Sequence, residues 1–380
     1  MLRLAVEAYL ELFGKIKTSD SLRLLDANGL FWKYSPETKK GKVKDEPNLP
    51  SETSDSEDEE GDLGPGSDAD EAYADVKDSA EIEVVSVTEK TKRSCPPIPY
   101  NDRSLQSDAM NLLGMGPEEI ADISQKMYEQ GITSYYRSKW TGYTESSHEN
   151  VASLVSDAGL RVEKRRYQLP PEAGHDGIHT IYSKKIFLGE DGLYFPEAWS
   201  NPGAAPHKYR RLFDLIHRRT LASMMPDFVS KERVVVGTVN GRRFEVRTNV
   251  VVDAGFSEAF HWFLSGVPNS VGPETAAGYS KGENLGIKDR KLEKGKFKFS
   301  SNITVSSFGK KLEKLRIGTP ATSVPIYKLI QTKGYVRQTD DLKIKVLAKG
   351  FVLYSLTKSY DVFDIELTEK MEGGLEDVET

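Results

Sequence analysis

Asn240-Gly241 sits between two runs of alternating, β-branched residues, Arg233 to Val239 and Arg242 to Val252. This dipeptide is favoured in a two-residue hairpin turn because both of its positions must take positive φ. The pattern commits this part of the chain to an antiparallel hairpin. A further strand is predicted over Glu81 to Thr88, and two shorter ones, Ser21 to Leu25 and Gly29 to Tyr34, flank a turn at Ala27-Asn28-Gly29. Helical periodicity appears over residues 2 to 17, over Pro117 to Gln130 and over residues 206 to 225. The last eighty residues give a helix (Ala321 to Thr332), Gly334, a hairpin around Gln338-Thr339-Asp340-Asp341 and a second helix near Lys343 to Ser359, the order of a winged-helix module. Residues 256 to 300 give no clear assignment, and there is no internal repeat. A length of 380 residues with strands and helices in separate stretches points to an α+β chain of several domains.

The net charge of −6 hides two different regions. Eleven acids and no Lys or Arg fall within residues 52 to 75, and without those acids the balance is +5. Residues 36 to 79 are poor in apolar groups, so an acidic disordered insertion is expected over about 38 to 79. A mildly basic remainder suits a polyanionic partner. The single cysteine, Cys95, excludes a disulfide framework and a cysteine-rich zinc site. No apolar run reaches the ~20 residues of a membrane helix, and the first residues carry acids too early for a signal peptide. A soluble intracellular protein is the expectation.

The helix before Gly131 is well specified. Pro117 suits its first turn, Glu118 and Glu119 suit the positive end of its dipole, and Gly131 suits its C-terminal cap. It leads into Ile132-Thr133-Ser134-Tyr135-Tyr136-Arg137-Ser138, read as a short extended segment. An extended backbone turns residues two apart to one face, which places Arg137 on the side of Tyr135. An unperturbed phenol titrates near ~10, so a neighbouring cation would help it act as a nucleophile. The plainer reading is a strand-end tyrosine packed on a core. Downstream, the glycines around His175-Asp176 permit close backbone approach to a ligand.

In this order the motifs resemble those of type IA DNA topoisomerases, among them the topoisomerase half of reverse gyrase. The resemblance rests on Pro96-Pro97-Ile98-Pro99-Tyr100, on Gln125-Lys126-Met127-Tyr128-Glu129, and on Gly131 to Ser138. It continues in Gly174-His175-Asp176-Gly177-Ile178-His179-Thr180, in Leu212 to Met225, and in Ile317-Gly318-Thr319-Pro320-Ala321-Thr322. The chain departs from the family where Asp and Ser usually follow the Arg-Thr pair (Lys139 and Trp140 here), and where Arg is replaced by His179 and by Thr319.

The resemblance implies a toroid-type core: a β-rich gate arch, a helical domain bearing the active-site tyrosine, and a winged-helix-like C-terminal module. The corresponding divisions are 1–100 and 229–295 for the arch, 101–228 for the helical domain and 296–380 for the module. Tyr135 is the implied nucleophile, Arg137 the phosphate-binding cation and His175 a further catalytic group. Gln125, Glu129, Ser134, Ser138, Asp176, Arg218, Arg219 and Thr322 are the implied DNA contacts. Tyr135 would cut one strand and keep its 5′ end as a phosphotyrosine, allowing strand passage and resealing. The family's Toprim domain, which holds Mg²⁺ on acids, has no counterpart in these motifs. The implied partners are therefore single-stranded DNA and a Toprim-bearing topoisomerase or reverse gyrase subunit in a prokaryotic, nucleoid-associated cytoplasm. No metal site and no GxxxxGK[ST] nucleotide loop are expected on this chain. A non-catalytic single-strand-binding or architectural subunit is the alternative, favoured by the departures at Lys139, Trp140, His179 and Thr319.

Overall fold

The computed structural model describes residues 1–11, 15–17, 21–27, 30–35, 68–163, 165, 167–181, 185–201, 205–265, 279–293, 297–299, 303–315, 317–318, 320–360 and 364–371. Six antiparallel strands close into a barrel: β2 (Ser21–Asp26), β3 (Phe31–Tyr34), β8 (Arg242–Asp253), β7 (Phe228–Val239), β4 (Glu81–Ser94) and β9 (Asn284–Glu293), which returns to β2. Alternation turns one face of each strand inward. Leu22, Leu24, Trp32, Ile82, Val84, Val235, Phe244 and Val246 make the barrel core. The predicted hairpin is β7–β8, turning at Asn240 and Gly241 with φ of 48° and 79°. Its strands are longer than their alternation suggested. Strands β4 and β7 stay paired as far as Ser94 and Phe228, and so lead the chain from the barrel into the helical part.

One acid is buried inside the barrel. Asp26 accepts hydrogen bonds from Leu30 N (2.9 Å), Trp32 Nε1 (2.9 Å) and Tyr279 Oη (2.5 Å). Three donors compensate a carboxylate that burial alone would make costly.

Two expectations are corrected. The segment read as disordered to residue 79 ends in a helix, α2 (Asp68–Val76), whose Ala69, Ala72 and Val76 pack on the barrel. Residues 38–67 lie outside the described residues. The helix expected over 2–17 is α1 (Leu2–Glu11), and Lys15–Lys17 form strand β1, paired with β10 (Phe297–Phe299). The glycine at position 14 is a poor helix former, which is consistent with an early stop.

The helical part holds α3 (Asp102–Leu113), α4 (Pro117–Glu129), α5 (Glu145–Asp157) and α6 (His207–Ser223). The C-terminal unit holds helix Val305–Lys314, helix Pro320–Thr332, the hairpin Val336–Gln338 with Ile344–Val346, and helix Ala348–Thr357, the expected winged-helix order. These two parts share one core. Phe308, Leu312, Ile330 and Ile344 pack in the same cluster as Leu105, Ile123, Leu212 and Phe213. Arg103 of α3 adds a polar tie, donating to the carbonyls of Gly318 (2.6 Å) and Gly309 (3.4 Å).

Phe244 is fully buried in the barrel. Replacing it by alanine should cost about 3–5 kcal/mol of stability in urea unfolding followed by circular dichroism. A loss below about 1 kcal/mol would mean that the barrel is not the unit whose core it fills.

Candidate active site

Helix α4 ends at Glu129, and Gly131 takes the left-handed conformation (φ 62°) that turns the chain sharply out of it. The next residues lie against the segment at 177–181. Ser134 N donates to His179 O (2.9 Å), His179 N donates to Ser134 Oγ (3.0 Å), and that hydroxyl donates to Gly177 O (3.2 Å). Thr133 and Thr180 form a bridge, and Ile181 N donates to Ile132 O (3.0 Å). Two segments far apart in sequence are thereby locked together on either side of Tyr135.

Tyr135 is half-buried and stands in an open cleft of about 340 Å³. Its ring lies 4.4 Å from that of His175 and 5.3 Å from that of Tyr128. The cleft is also lined by Ser134, Thr144, Gly174 and Asp176. Tyr135, His175, Ser134 and Asp176, all picked out from sequence, thus come together. Tyr128, Thr144 and Leu169 were not picked out. Tyr128 lies seven residues before the nucleophile candidate, two helical turns away on α4, which is a signal available in the sequence.

Asp176 has a structural task here. It accepts from Thr144 N (2.7 Å), from Thr144 Oγ1 (3.3 Å) and from Ser147 Oγ, tying the start of α5 to the cleft. Gly142 is needed just before this point, because a Cβ there would lie 2.4 Å from Gln168 O.

Arg137 does not share a strand face with Tyr135. Tyr136 and Arg137 form a turn, so the two-residue alternation of a strand does not apply. Arg137 is exposed, with its guanidinium 5.2 Å from the centre of the Tyr136 ring, and Tyr136 itself is buried. Ser138 is buried too. Its carbonyl accepts from Asp102 N (2.9 Å) and its hydroxyl from Trp140 N (3.1 Å), so it holds the turn and does not face the cleft.

Arg218 and Arg219 are engaged inside the chain, which is not where the sequence reading put them. Arg218 donates to Asp214 (2.9 Å to each carboxylate oxygen), to Gly192 O (2.7 Å) and to Ala259 O (3.3 Å). Arg219 donates to Ile98 O (2.8 Å) and lies over the Tyr100 ring at 4.5 Å. Gln125 donates to Glu129 (2.6 Å) on the outer side of α4, and Thr322 is exposed in the C-terminal unit, away from the cleft lining. His217 is buried against Phe213 and meets Thr180 Oγ1 at 3.0 Å, and burial pushes its pKa down to about 3.

The described residues hold no group of three His, Cys, Asp or Glu side chains suited to a metal. Asp176 is already taken up by Thr144 and Ser147. A divalent cation therefore does not fit the side chains around Tyr135.

Asp102 is buried at the start of α3, where Gln106 Nε2 donates to its two oxygens at 2.9 and 3.0 Å. Burial raises its pKa to about 6 against the pull of Gln106, Arg103 and Arg137. The folded chain thus keeps this proton to higher pH than the unfolded chain, whose aspartate titrates near 3.8. Stability is lost as pH rises from about 4 to 6, and the penalty persists at neutral pH. Asp102→Asn should raise stability at pH 7 by about 2–3 kcal/mol and change little below pH 4. Urea unfolding at both pH values checks this, and an equal effect at both would refute the assignment.

A sequence profile of the DNA topoisomerase family matches residues 29–380. DNA topoisomerase 1 of Methanocaldococcus jannaschii is 26% identical over 322 residues, covering 81% of this chain and 39% of that protein. DNA topoisomerase 1 of Aquifex aeolicus is 26% identical over 300 residues, covering 78% and 53%. The chain thus spans between about two-fifths and half the length of these curated relatives. The structure of full-length topoisomerase I from Thermotoga maritima matches all of this chain and 59% of its own, with a TM-score of 0.72 at 20% identity.

Proposed function

The chain belongs to the type IA DNA topoisomerase family, and from that premise we propose that Tyr135 is the nucleophile that cuts one DNA strand. The observation that carries the reading is the placement of Tyr135 in an open cleft with the His175 ring 4.4 Å from its own. The phenolic oxygen attacks phosphorus as its proton leaves. The P–O bond to the 3′ oxygen breaks, that oxygen departs and is protonated, and the 5′ phosphate remains on Tyr135. The reverse reaction reseals the strand after another has passed, with no outside energy source. His175 acts as the nearby donor to the phosphate oxygens. Arg137, exposed at the rim, takes up a flanking phosphate, and Gln125 and Glu129 meet the strand from the outer side of α4. The Mg²⁺ requirement is met by the acids of a Toprim domain outside the described residues, as on a partner chain.

One observation favours a second reading, a subunit that binds single strands without cutting them. Arg137 rests on Tyr136 and not on Tyr135, so the cation expected to assist the phenol is turned away from it.

A covalent-adduct assay separates the two. With a Toprim-bearing partner, Mg²⁺ and a 5′- or 3′-labelled single-stranded oligonucleotide, the chain should retain the 5′ side of the cut after denaturation. Tyr135→Phe should abolish the adduct, and His175→Ala should slow its formation on the order of 10²-fold. No adduct, or one that survives Tyr135→Phe, would refute the nucleophile. Salt-sensitive strand binding indifferent to Tyr135→Phe, with no adduct, would establish the binding role instead.

A further inference from the structure

Beside the Tyr135 cleft lies a second cavity of about 390 Å³. Thr144, Leu169 and Ala173 line both, so the two spaces meet along one wall. The rest of the second cavity is Tyr143, Glu145, His148 and Gln168. Its frame is well tied. Tyr143 N donates to Tyr167 O at 2.9 Å, and the His148 ring lies parallel to that of Tyr167 with its Nε2 3.3 Å from the same carbonyl. The missing Cβ at Gly142 lets this strand of chain lie against Gln168.

The lining chemistry is selective. It contains no lysine or arginine, and its one carboxylate is Glu145, exposed at the start of α5. A phosphate is disfavoured there by like charge. A flat heterocycle is favoured by Leu169, Ala173 and the Tyr143 ring. A carboxylate accepts a hydrogen bond from an exocyclic amine, the contact by which Glu or Asp reads cytosine N4. Gln168 supplies a further amide at the same wall.

We propose that this cavity receives a nucleobase of the strand that passes Tyr135, and that Glu145 selects bases carrying an exocyclic amine. The proposal rests on the reading of Tyr135 as a DNA-facing residue, and it adds a base preference that the cleft itself does not supply. Cytosine and uracil test it, because they match in size and differ in whether the ring edge donates or accepts at that position.

The experiment measures fluorescence anisotropy of the Tyr135→Phe chain with labelled single-stranded homopolymers of deoxycytidine and deoxyuridine, equal in length and at one fixed salt concentration. Deoxycytidine should bind about tenfold tighter. Glu145→Ala in the same background should reduce the ratio to near one while leaving deoxyuridine binding unchanged. Glu145→Gln, which keeps a carbonyl acceptor, should retain part of the preference. Equal affinity for the two polymers at the outset, a preference that survives Glu145→Ala, or no binding of either polymer would overturn the proposal. Because Tyr135 is already phenylalanine, the outcome does not depend on cleavage. Base preference with a failed adduct assay would sink the nucleophile alone, and the converse would sink the cavity alone.

Discussion

The set of hydrogen bonds between Ser134 and residues 177–179 determines where everything else in the cleft can be. Ser134 contributes both its amide and its hydroxyl, so one small side chain fixes two backbones from different parts of the sequence. Tyr135 follows immediately and cannot drift, since Tyr136 is buried behind it and Ser138 is held by Asp102 N. His175 is fixed from the opposite side, with Asp176 tied to Thr144 and Ser147 and Gly177 N donating to Gly142 O at 2.7 Å. The two rings are therefore placed by backbone and small polar groups on either side, which is the kind of support a reactive site needs. Loss of the Ser134 hydroxyl would leave neighbouring buried groups without a partner, a greater cost than the loss of one exposed hydrogen bond.

The same economy explains the arginines of α6. A carboxylate as buried as Asp214 has to be met by a charged donor, and Arg218, four residues on, is in reach. Burial still raises the Asp214 pKa, so desolvation outweighs what Arg218 and Tyr194 N return. Arg219 spends its charge on Ile98 O and on the Tyr100 ring, pinning the proline-rich linker to the helix. A basic helix read from sequence looks like a polyanion contact. Here the charge holds the helix to its neighbours.

How much of this was visible in the sequence depended on whether the relevant partners were near or far along the chain. The β7–β8 hairpin was legible because its turn chemistry and alternation are local. So was the order of the C-terminal unit. Strand β9 was not, because its run of Lys, Asp, Arg and Glu hides a pattern in which only Leu285 is buried, with Ile287 and Leu292 partly so. Helix α2 was masked by its acids, although Ala69, Ala72 and Val76 repeat at three- and four-residue spacing. At the site, Tyr135 and His175 stood out through their motifs. The direction of Arg137 did not, since a turn and a strand end look alike over three residues. The work of Asp176 depends on Thr144 and Ser147, about thirty positions away, which no local pattern reports.

The cleft has an unusual charge balance for a surface that meets a polyanion. Asp176 lies in its wall and Glu145 in the wall of the adjoining cavity, while the nearest exposed guanidinium, Arg137, stands over Tyr136 at the rim. Coulomb attraction alone would not draw a phosphate deep into such a place. A strand held here would need its backbone at the rim, next to Arg137 and the open side of Tyr135, with its bases turned toward the acid-lined wall. That arrangement keeps the phosphates away from the carboxylates and presents amine edges to them. Chain direction and base identity then become linked: a strand entering the other way would bring phosphate against Glu145. The acids of the wall, which look like an obstacle to DNA, thus give the cleft a sense of direction that a uniformly basic groove would lack.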